Sequence, residues 1–115
     1  MSDTITFDDF VKVDLRVGTI TKAELIPKAK KLVKLEVSFG TETRTIVAGI
    51  ASMIPYLLDS KVESFEGRQV VAVLNLPPRE MMGIQSNGML LAAHDADGKL
   101  VLASCPGAPD GSKLG

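Results

Sequence analysis

The sequence predicts a single-domain, all-β protein built as a small closed barrel. Its 115 residues are the length of one domain, which we take to span residues 1–115. About five or six short apolar runs, rich in β-branched residues, are separated by turn residues. One segment of helical character lies between the third and fourth runs. An SH3-like barrel or a split α+β sheet has the same periodicities, so both remain alternatives at this point.

The chain begins with a short predicted helix. Thr6 is a candidate N-cap, and the carboxylates of Asp8 and Asp9 follow it near the positive end of the helix dipole. Phe7 and Phe10 are three residues apart and therefore face the same side of a helix. We expect both rings to pack at one end of the core.

Three strands are predicted next. The first, residues 13–26, is long and contains Gly18, which in a strand interior often marks a bulge or a close approach. Residues 32–39 alternate between apolar and polar side chains, the pattern of a strand with one buried face. A turn at residues 40–43 then leads into a returning strand at residues 44–50.

A helix is predicted at residues 51–58, where Pro55 is tolerated only in the first turn. After it, strands are expected at residues 70–76, 89–93 and 100–103. The tail from Pro106 onward is rich in Pro and Gly and is expected to be irregular. The resulting order, three strands, a helix and then further strands, is the pattern of an OB-fold.

The connector between the predicted strands at residues 70–76 and 89–93 is the most informative part of the chain. It reads NLPPREMMGIQSNGM over residues 75–89. Its two prolines fix backbone angles, and its two glycines allow conformations closed to other residues. A loop that only closes a hairpin rarely needs about a dozen residues. Because polar side chains stand among these fixed positions, the connector predicts a ligand-binding loop.

The charge distribution is uneven, although the net charge is only −1. Residues 12–34 contain seven Lys and Arg against two Asp and Glu, a net charge of +5, so the rest of the chain carries −6. Asymmetry of this kind predicts a basic face on an otherwise acidic protein. A lysine cluster also occurs on ordinary solvated surfaces, and this alternative stays open.

Catalytic and cofactor-binding patterns are absent from the sequence. His94 is the only histidine and Cys105 the only cysteine, so neither a metal site nor a Cys–His nucleophile pair is predicted. We therefore expect no enzyme activity, no metal and no cofactor. The N-terminus lacks the features of a signal peptide, and no apolar run reaches the ~20 residues of a membrane span. A cytoplasmic protein is expected.

Two further motifs accompany the connector, DLRVG at residues 14–18 and RTIVAGI at residues 44–50. With these three motifs the chain resembles the tRNA-binding domain family. Members include the C-terminal domain of methionyl-tRNA synthetase, free-standing dimeric tRNA-binding proteins and CsaA-type export chaperones. The resemblance implies a five-stranded OB-fold barrel with a C-terminal β or irregular extension used in dimerisation. It also implies a homodimer that binds the folded corner of tRNA without catalysis and works with an aminoacyl-tRNA synthetase.

The family's tRNA-binding positions correspond in this chain to Lys31, Lys34, Arg44, Asn75, Arg79, Ser86 and Met89. By resemblance, the four cations contact phosphates, the Asn and Ser supply oriented hydrogen bonds, and the Met makes an apolar contact. The chain has four Phe, one Tyr and no Trp, and most of these are placed to pack. Recognition by shape is therefore favoured over the stacking of bases on aromatic side chains.

Each of these positions has a structural alternative. Arg44 could pair with Glu36 or Glu42, and Met89 could belong to the core. The Asn and Ser side chains of the connector could cap loop backbone groups, and the lysines could simply be solvated. Met82 stands where many tRNA-binding members carry a second basic residue. The methionine-rich connector also resembles that of the CsaA-type chaperones, which implies an unfolded peptide as the alternative ligand.

Overall fold

The computed structural model describes residues 3–115. Met1 and Ser2, part of the N-terminus considered for a signal peptide, lie outside the described residues. One α-helix, α1 (Phe7–Val11), precedes ten strands in this part of the chain. The strands are β1 (Leu15–Leu25), β2 (Val33–Ser38), β3 (Thr43–Ala48), β4 (Gln69–Val73), β5 (Arg79–Met81), β6 (Ile84–Ser86), β7 (Met89–Leu90), β8 (Ala92–His94), β9 (Leu100–Leu102) and β10 (Lys113–Leu114). No helix within residues 3–115 is both long and apolar enough to cross a membrane.

Six strands form one antiparallel sheet, ordered β3-β2-β1-β4-β7, with β10 beside the start of β1. The long strand β1 is shared, because its first half pairs with β4 and its second half with β2. Its register shifts between Ile20 and Lys22, and such a bulge lets a strand bend. The sheet therefore curls into an OB-like half-barrel, which confirms the predicted fold class and the long, bent first strand.

The core lies on the concave side of this sheet. On β2 the side chains of Val33, Leu35 and Val37 are fully buried, and the polar residues between them are partly exposed. This confirms the predicted alternation. Ile46 of β3 and Phe65, which precedes β4, are also fully buried and belong to the same cluster.

Gly18 is the point of closest packing in β1. A Cβ built on this residue would lie 2.7 Å from the ring of Phe39 and 2.8 Å from a methyl group of Val37. No side chain fits in that space without moving a buried neighbour. The close approach expected at this glycine is therefore present.

The sheet is closed by the segment between β6 and β7, which lies against β3. The backbone N–H of Val47 donates to Ser86 Oγ over 2.9 Å, and the N–H of Asn87 donates to the carbonyl of Thr45 over 2.8 Å. These bonds satisfy backbone groups that β3 would otherwise leave free as an edge strand.

The predicted helix after β3 is present as 3₁₀ structure rather than as an α-helix. Three short segments, Ala51–Tyr56, Leu58–Ser60 and Val62–Phe65, connect β3 to β4. Pro55 is the fifth residue of the first segment, so the expectation that it lies in the first turn is wrong. Asp59 and Ser60 have left-handed backbone angles, with φ of 57° and 50°, and these interrupt any continuous helix.

Helix α1 has the predicted cap, but its rings do not enter the core. Thr6 Oγ1 accepts from the N–H of Asp9, and the Asp9 carboxylate accepts from the N–H of Thr6. Phe7 is 76% exposed and Phe10 is 39% exposed, so the expectation that they pack at one end of the barrel is wrong. The five-residue helix buries no side chain, because the core is already filled by Phe39 and other residues of the sheet.

The connector is more regular than the sequence indicates, since it contains the hairpin β5–β6. Its turn is formed by Met82 and Gly83, both left-handed, with φ of 53° and 79°. Left-handed angles at both central positions match the twist of a two-residue hairpin. The tail expected to be irregular also contains a short strand, β10, where Leu114 lies opposite Leu15.

We predict that Gly18→Ala destabilises the protein by about 1–3 kcal/mol, because the new methyl group overpacks the contact with Phe39. Urea unfolding measures this change. Gly49→Ala is the matched control, since its Cβ would lie 4.0 Å from the nearest atom and its φ is not left-handed. Equal stability of the two variants would contradict the close approach at Gly18.

Candidate nucleic-acid interface

A row of neighbouring residues crosses four strands on the outer side of the barrel. Lys34 of β2 lies opposite Val47 of β3. The N–H of Val47 donates to Ser86 of β6, and Ser86 lies opposite Arg79 of β5. Because Val33 and Leu35 on either side are buried in the core, Lys34 faces outward. The early basic segment and the connector are therefore neighbours in the fold, with the buried residues Val47 and Ser86 between Lys34 and Arg79.

Lys31 stands at the edge of the same face. Its carbonyl accepts from the N–H of Ala51 over 3.2 Å, which holds it beside the chain that leaves β3. The neighbouring residue Gly49 lines a groove to which Arg79 also contributes. The Lys31 side chain is exposed to solvent.

The groove has a volume of about 360 Å³ and a mostly apolar floor. Ile50, Leu90 and Leu100 form part of this floor, which runs between β3, the connector and the hairpin β8–β9. Arg79 lies among the polar lining residues. Met89 also lines the groove and is 50% exposed, so the alternative that it belongs to the core is wrong. The groove thus combines an apolar surface with the guanidinium group of Arg79 in its lining.

Ser86 and Asn75 both have structural partners. Ser86 is only 4% exposed, and its hydroxyl accepts from Val47 and lies 3.4 Å from the carbonyl of Gly88. The Asn75 side chain accepts from the N–H of Asp14 over 2.9 Å and donates to the carbonyl of Lys12. These bonds are the backbone-capping roles that the sequence left open as alternatives. A direct contact of either residue with RNA stays a prediction.

Arg44 lies on the opposite face of β3 from the row. It is paired with the buried residue Val37, so its side chain starts toward the inside of the barrel. Its Nη1 donates to the carbonyl of Leu74 over 2.7 Å, and its Nη2 lies 3.2 Å from a carboxylate oxygen of Glu42. The structure therefore shows the predicted alternative pairing with Glu42. Arg44 connects β3 to the end of β4. Because Arg44 and Lys34 lie on opposite faces of the sheet, the structure gives no support for a phosphate site that both share.

Arg16 is held in a comparable way at the same end of the barrel. Its Nε donates to Asp14 over 2.7 Å and its Nη1 donates to the carbonyl of Gly111 over 3.1 Å. Within the motif DLRVG, this arginine therefore has a structural role, because it pairs locally with Asp14. Glu36, the other carboxylate considered for Arg44, instead accepts from the hydroxyl of Thr45.

Several residues of the groove were not predicted as part of a site. His94 and Leu100 come from the hairpin β8–β9, and Leu76 and Pro77 from the start of the connector. The turn residues 95–98 and the apolar runs on either side of them are visible in the sequence. The hairpin β8–β9 comes close to β3 only because the sheet curls, and no short sequence pattern predicts that curl.

Together these features define a small OB-like barrel with one basic, groove-containing face. Comparison with known proteins identifies the family to which this barrel belongs. Residues 15–113 match the family model described as "Putative tRNA binding domain". The chain is 46% identical over 113 residues to the methionine–tRNA ligase of Salinibacter ruber and 45% identical over 100 residues to that of Porphyromonas gingivalis. These matches cover 97% and 87% of this chain, which spans 15% and 14% of the two ligases.

Solved structures show the same relationship. A MetRS-related protein from Pyrococcus horikoshii superposes with a TM-score of 0.86 at 41% identity, over 98% of this chain and 99% of that one. The chaperone CsaA of Bacillus anthracis superposes with a TM-score of 0.79 at 31% identity, over 98% of this chain and 100% of that one. The chain therefore belongs to the tRNA-binding domain family.

We predict that Ser86→Ala costs about 1–3 kcal/mol of stability, because the N–H of Val47 loses its acceptor while it stays buried. The exposed neighbour Gln85→Ala is the control and should change stability little. Amide hydrogen exchange locates the effect, with faster exchange expected at Val47 and Asn87. Unchanged protection of both amides would contradict the role of Ser86 in closing the sheet.

Proposed function

We propose that this protein is a non-catalytic tRNA-binding module that grips the folded corner of tRNA by shape and phosphate contacts. The observation that carries the proposal is the continuous row from Lys34 through Val47 and Ser86 to Arg79. It brings cations from two distant parts of the sequence to one face, as binding to a curved phosphate surface requires. Membership of the tRNA-binding domain family supports the same ligand.

The ion pairs of the protein divide its cations into two groups. Lys12, Arg16, Lys22 and Arg44 each lie within 4.0 Å of a carboxylate oxygen. Within residues 3–115, Lys31, Lys34 and Arg79 have no such partner. The carboxylate of Glu24, which lies opposite Lys34, is taken by Lys22 at 3.5 Å. Lys31, Lys34 and Arg79 therefore do not have to break an ion pair before they contact a phosphate. Other cations of the described chain share this property, so the choice of these three rests on the row and on the family's tRNA-binding positions.

The second candidate function is the binding of unfolded peptides, as the resemblance to CsaA-type chaperones implies. The specific observation in its favour is the apolar groove, which Met89 (50% exposed) lines, together with the exposure of Met82 (53%) at the turn of the hairpin β5–β6. Glu80 and Met82 make the connector less cationic than a loop with two basic residues. We favour tRNA because Arg79, which has no carboxylate partner within residues 3–115, lines the groove, and because the chain belongs to the tRNA-binding domain family.

We further propose that the chain forms a homodimer in the cytoplasm and works with an aminoacyl-tRNA synthetase. Support for the synthetase comes from the relatives, in which a domain like this one is a small part of a methionine–tRNA ligase. Support for the dimer comes from apolar surface near the two chain ends. Phe7 and Phe10 are exposed on α1, and β10 at the C-terminus pairs with the start of β1 just after that helix. The proposed interface consists of α1 and the C-terminal extension that ends in β10.

We predict that tRNA binding weakens as the salt concentration rises, with a log–log slope set by the number of phosphates contacted. Arg79→Ala and Lys34→Ala should each lower affinity and reduce that slope by about 1. Lys61→Ala is the control, because Lys61 is exposed between two of the 3₁₀ segments and does not line the groove. Filter binding at several salt concentrations provides the measurement.

Two results would overturn the proposed ligand. One is the absence of tRNA binding at low salt. The other is binding that changes neither with salt concentration nor in Arg79→Ala but is lost in Met82→Ser. In this case the protein should also suppress the aggregation of a denatured client protein. That second pattern would favour the peptide-binding function.

We predict a sedimentation mass of twice the 12.2 kDa of one chain at micromolar concentration. Phe7→Asp should shift the protein toward the monomer without unfolding it, because Phe7 is 76% exposed within the single chain. Leu58→Asp is the matched control, since Leu58 is 78% exposed but lies in the 3₁₀ connection. A mass near 12.2 kDa for the unaltered protein would exclude the dimer.

A further inference from the structure

One aromatic ring outside α1 is left uncovered by the fold. Tyr56 ends the 3₁₀ segment Ala51–Tyr56 and is 71% exposed, whereas Met53 three residues earlier is buried. Phe39 and Phe65 are both enclosed in the core. Tyr56 therefore does not serve the packing of the barrel, and its exposure needs another explanation.

A lysine is fixed over this ring. The Nζ of Lys99 lies 4.7 Å from the centre of the Tyr56 ring, within the range of a cation–π contact. The turn before β9 holds Lys99 in place, because its N–H donates to Asp95 Oδ1 over 2.9 Å. In return, the N–H of Asp95 donates to the carbonyl of Lys99 over 3.0 Å. With Lys99 over one face and most of the ring accessible, the other face is open to a planar ligand.

A second cation lies beside the ring. Arg68 and Leu100 join Tyr56 and Lys99 around a cleft of about 230 Å³. Asp95 and Asp97 line the adjoining outer cleft, but one oxygen of Asp95 is already occupied by the turn. Leu100 lines both this cleft and the larger groove that carries Arg79. The Tyr56 cleft and the groove therefore share one lining residue, which places the cleft next to the proposed tRNA-binding face.

We propose that Tyr56 stacks on an unpaired base of the bound tRNA, while Lys99 and Arg68 contact phosphates next to that base. This inference rests on the proposed function and adds a stacking site to it. An exposed aromatic ring flanked by cations is the arrangement that binds unstacked bases in RNA-binding proteins. It revises the expectation that the aromatic residues of this chain mainly pack, because Tyr56 is available for stacking.

The composition of the chain allows a direct test. Tyr56 is its only tyrosine and it has no tryptophan, so the intrinsic emission of the protein reports on this one ring. We expect total tRNA to quench the Tyr56 emission along the same titration curve as filter binding, after correction for absorption by the RNA. A fully paired, blunt-ended RNA duplex offers phosphates but few unpaired bases, and it should quench far less at equal occupancy.

Variants measure the contribution of the ring to affinity. Tyr56→Phe keeps a stacking surface and should bind tRNA within about twofold of the unaltered protein. Tyr56→Ser removes it and should weaken binding about tenfold. Leu58→Ser is the matched control, because Leu58 is at least as exposed and does not line the cleft. Circular dichroism of each variant checks that the fold is intact.

The outcomes separate this inference from the proposed function. Salt-dependent, Arg79-dependent tRNA binding with unchanged Tyr56 emission and full affinity in Tyr56→Ser overturns the stacking site alone. Emission that changes with protein dilution but not with RNA assigns the ring to a subunit interface and also overturns it. No tRNA binding by the unaltered protein overturns both proposals.

Discussion

The closure of the sheet between β3 and the segment Ser86, Asn87 and Gly88 is the constraint on which the rest of the structure depends. It uses one side-chain acceptor and one backbone donor, because Ser86 receives the N–H of Val47 and Asn87 donates to Thr45. Gly88 is required at this point. Its φ is 139°, and a Cβ would lie 3.2 Å from both Ile46 and the carbonyl of Val73. The same closure fixes the hairpin of Arg79 beside the strand that carries Val47.

The cations of the protein have two different tasks, and their partners distinguish them. Arg16 and Arg44 are bound to carboxylates and carbonyls at one end of the barrel, where they connect strands that are distant in sequence. Lys34 and Arg79 stand on the outer face without a carboxylate partner among the described residues. Arginine suits the first task because its planar group donates in several directions at once. The net charge does not distinguish the structural cations from the unpaired ones. Their individual contacts do.

Much of the fold could be predicted from the sequence, because it rests on local periodicity. The alternation in β2, the glycine of β1 and the cap of α1 all have short-range signatures. The exposure of Phe7 and Phe10 could not be predicted in this way, since it depends on which other side chains fill the core. For the site, the motifs pointed to the connector and to Lys34. They could not place Arg44 inward or Tyr56 outward, because both orientations follow from the curl and closure of the whole sheet.

A chain with a net charge of −1 attracts RNA only at short range, since separated charges are screened over about 8 Å at physiological salt. On the proposed tRNA-binding face, Lys34 and Arg79 would attract only those phosphates that come within this range. The outward residues of β2, Lys34, Glu36 and Ser38, offer no ring for reading bases. Discrimination between RNAs therefore depends on how well the barrel fits the surface of a folded RNA. A stacking contact at Tyr56 would add a second fixed point between the two molecules.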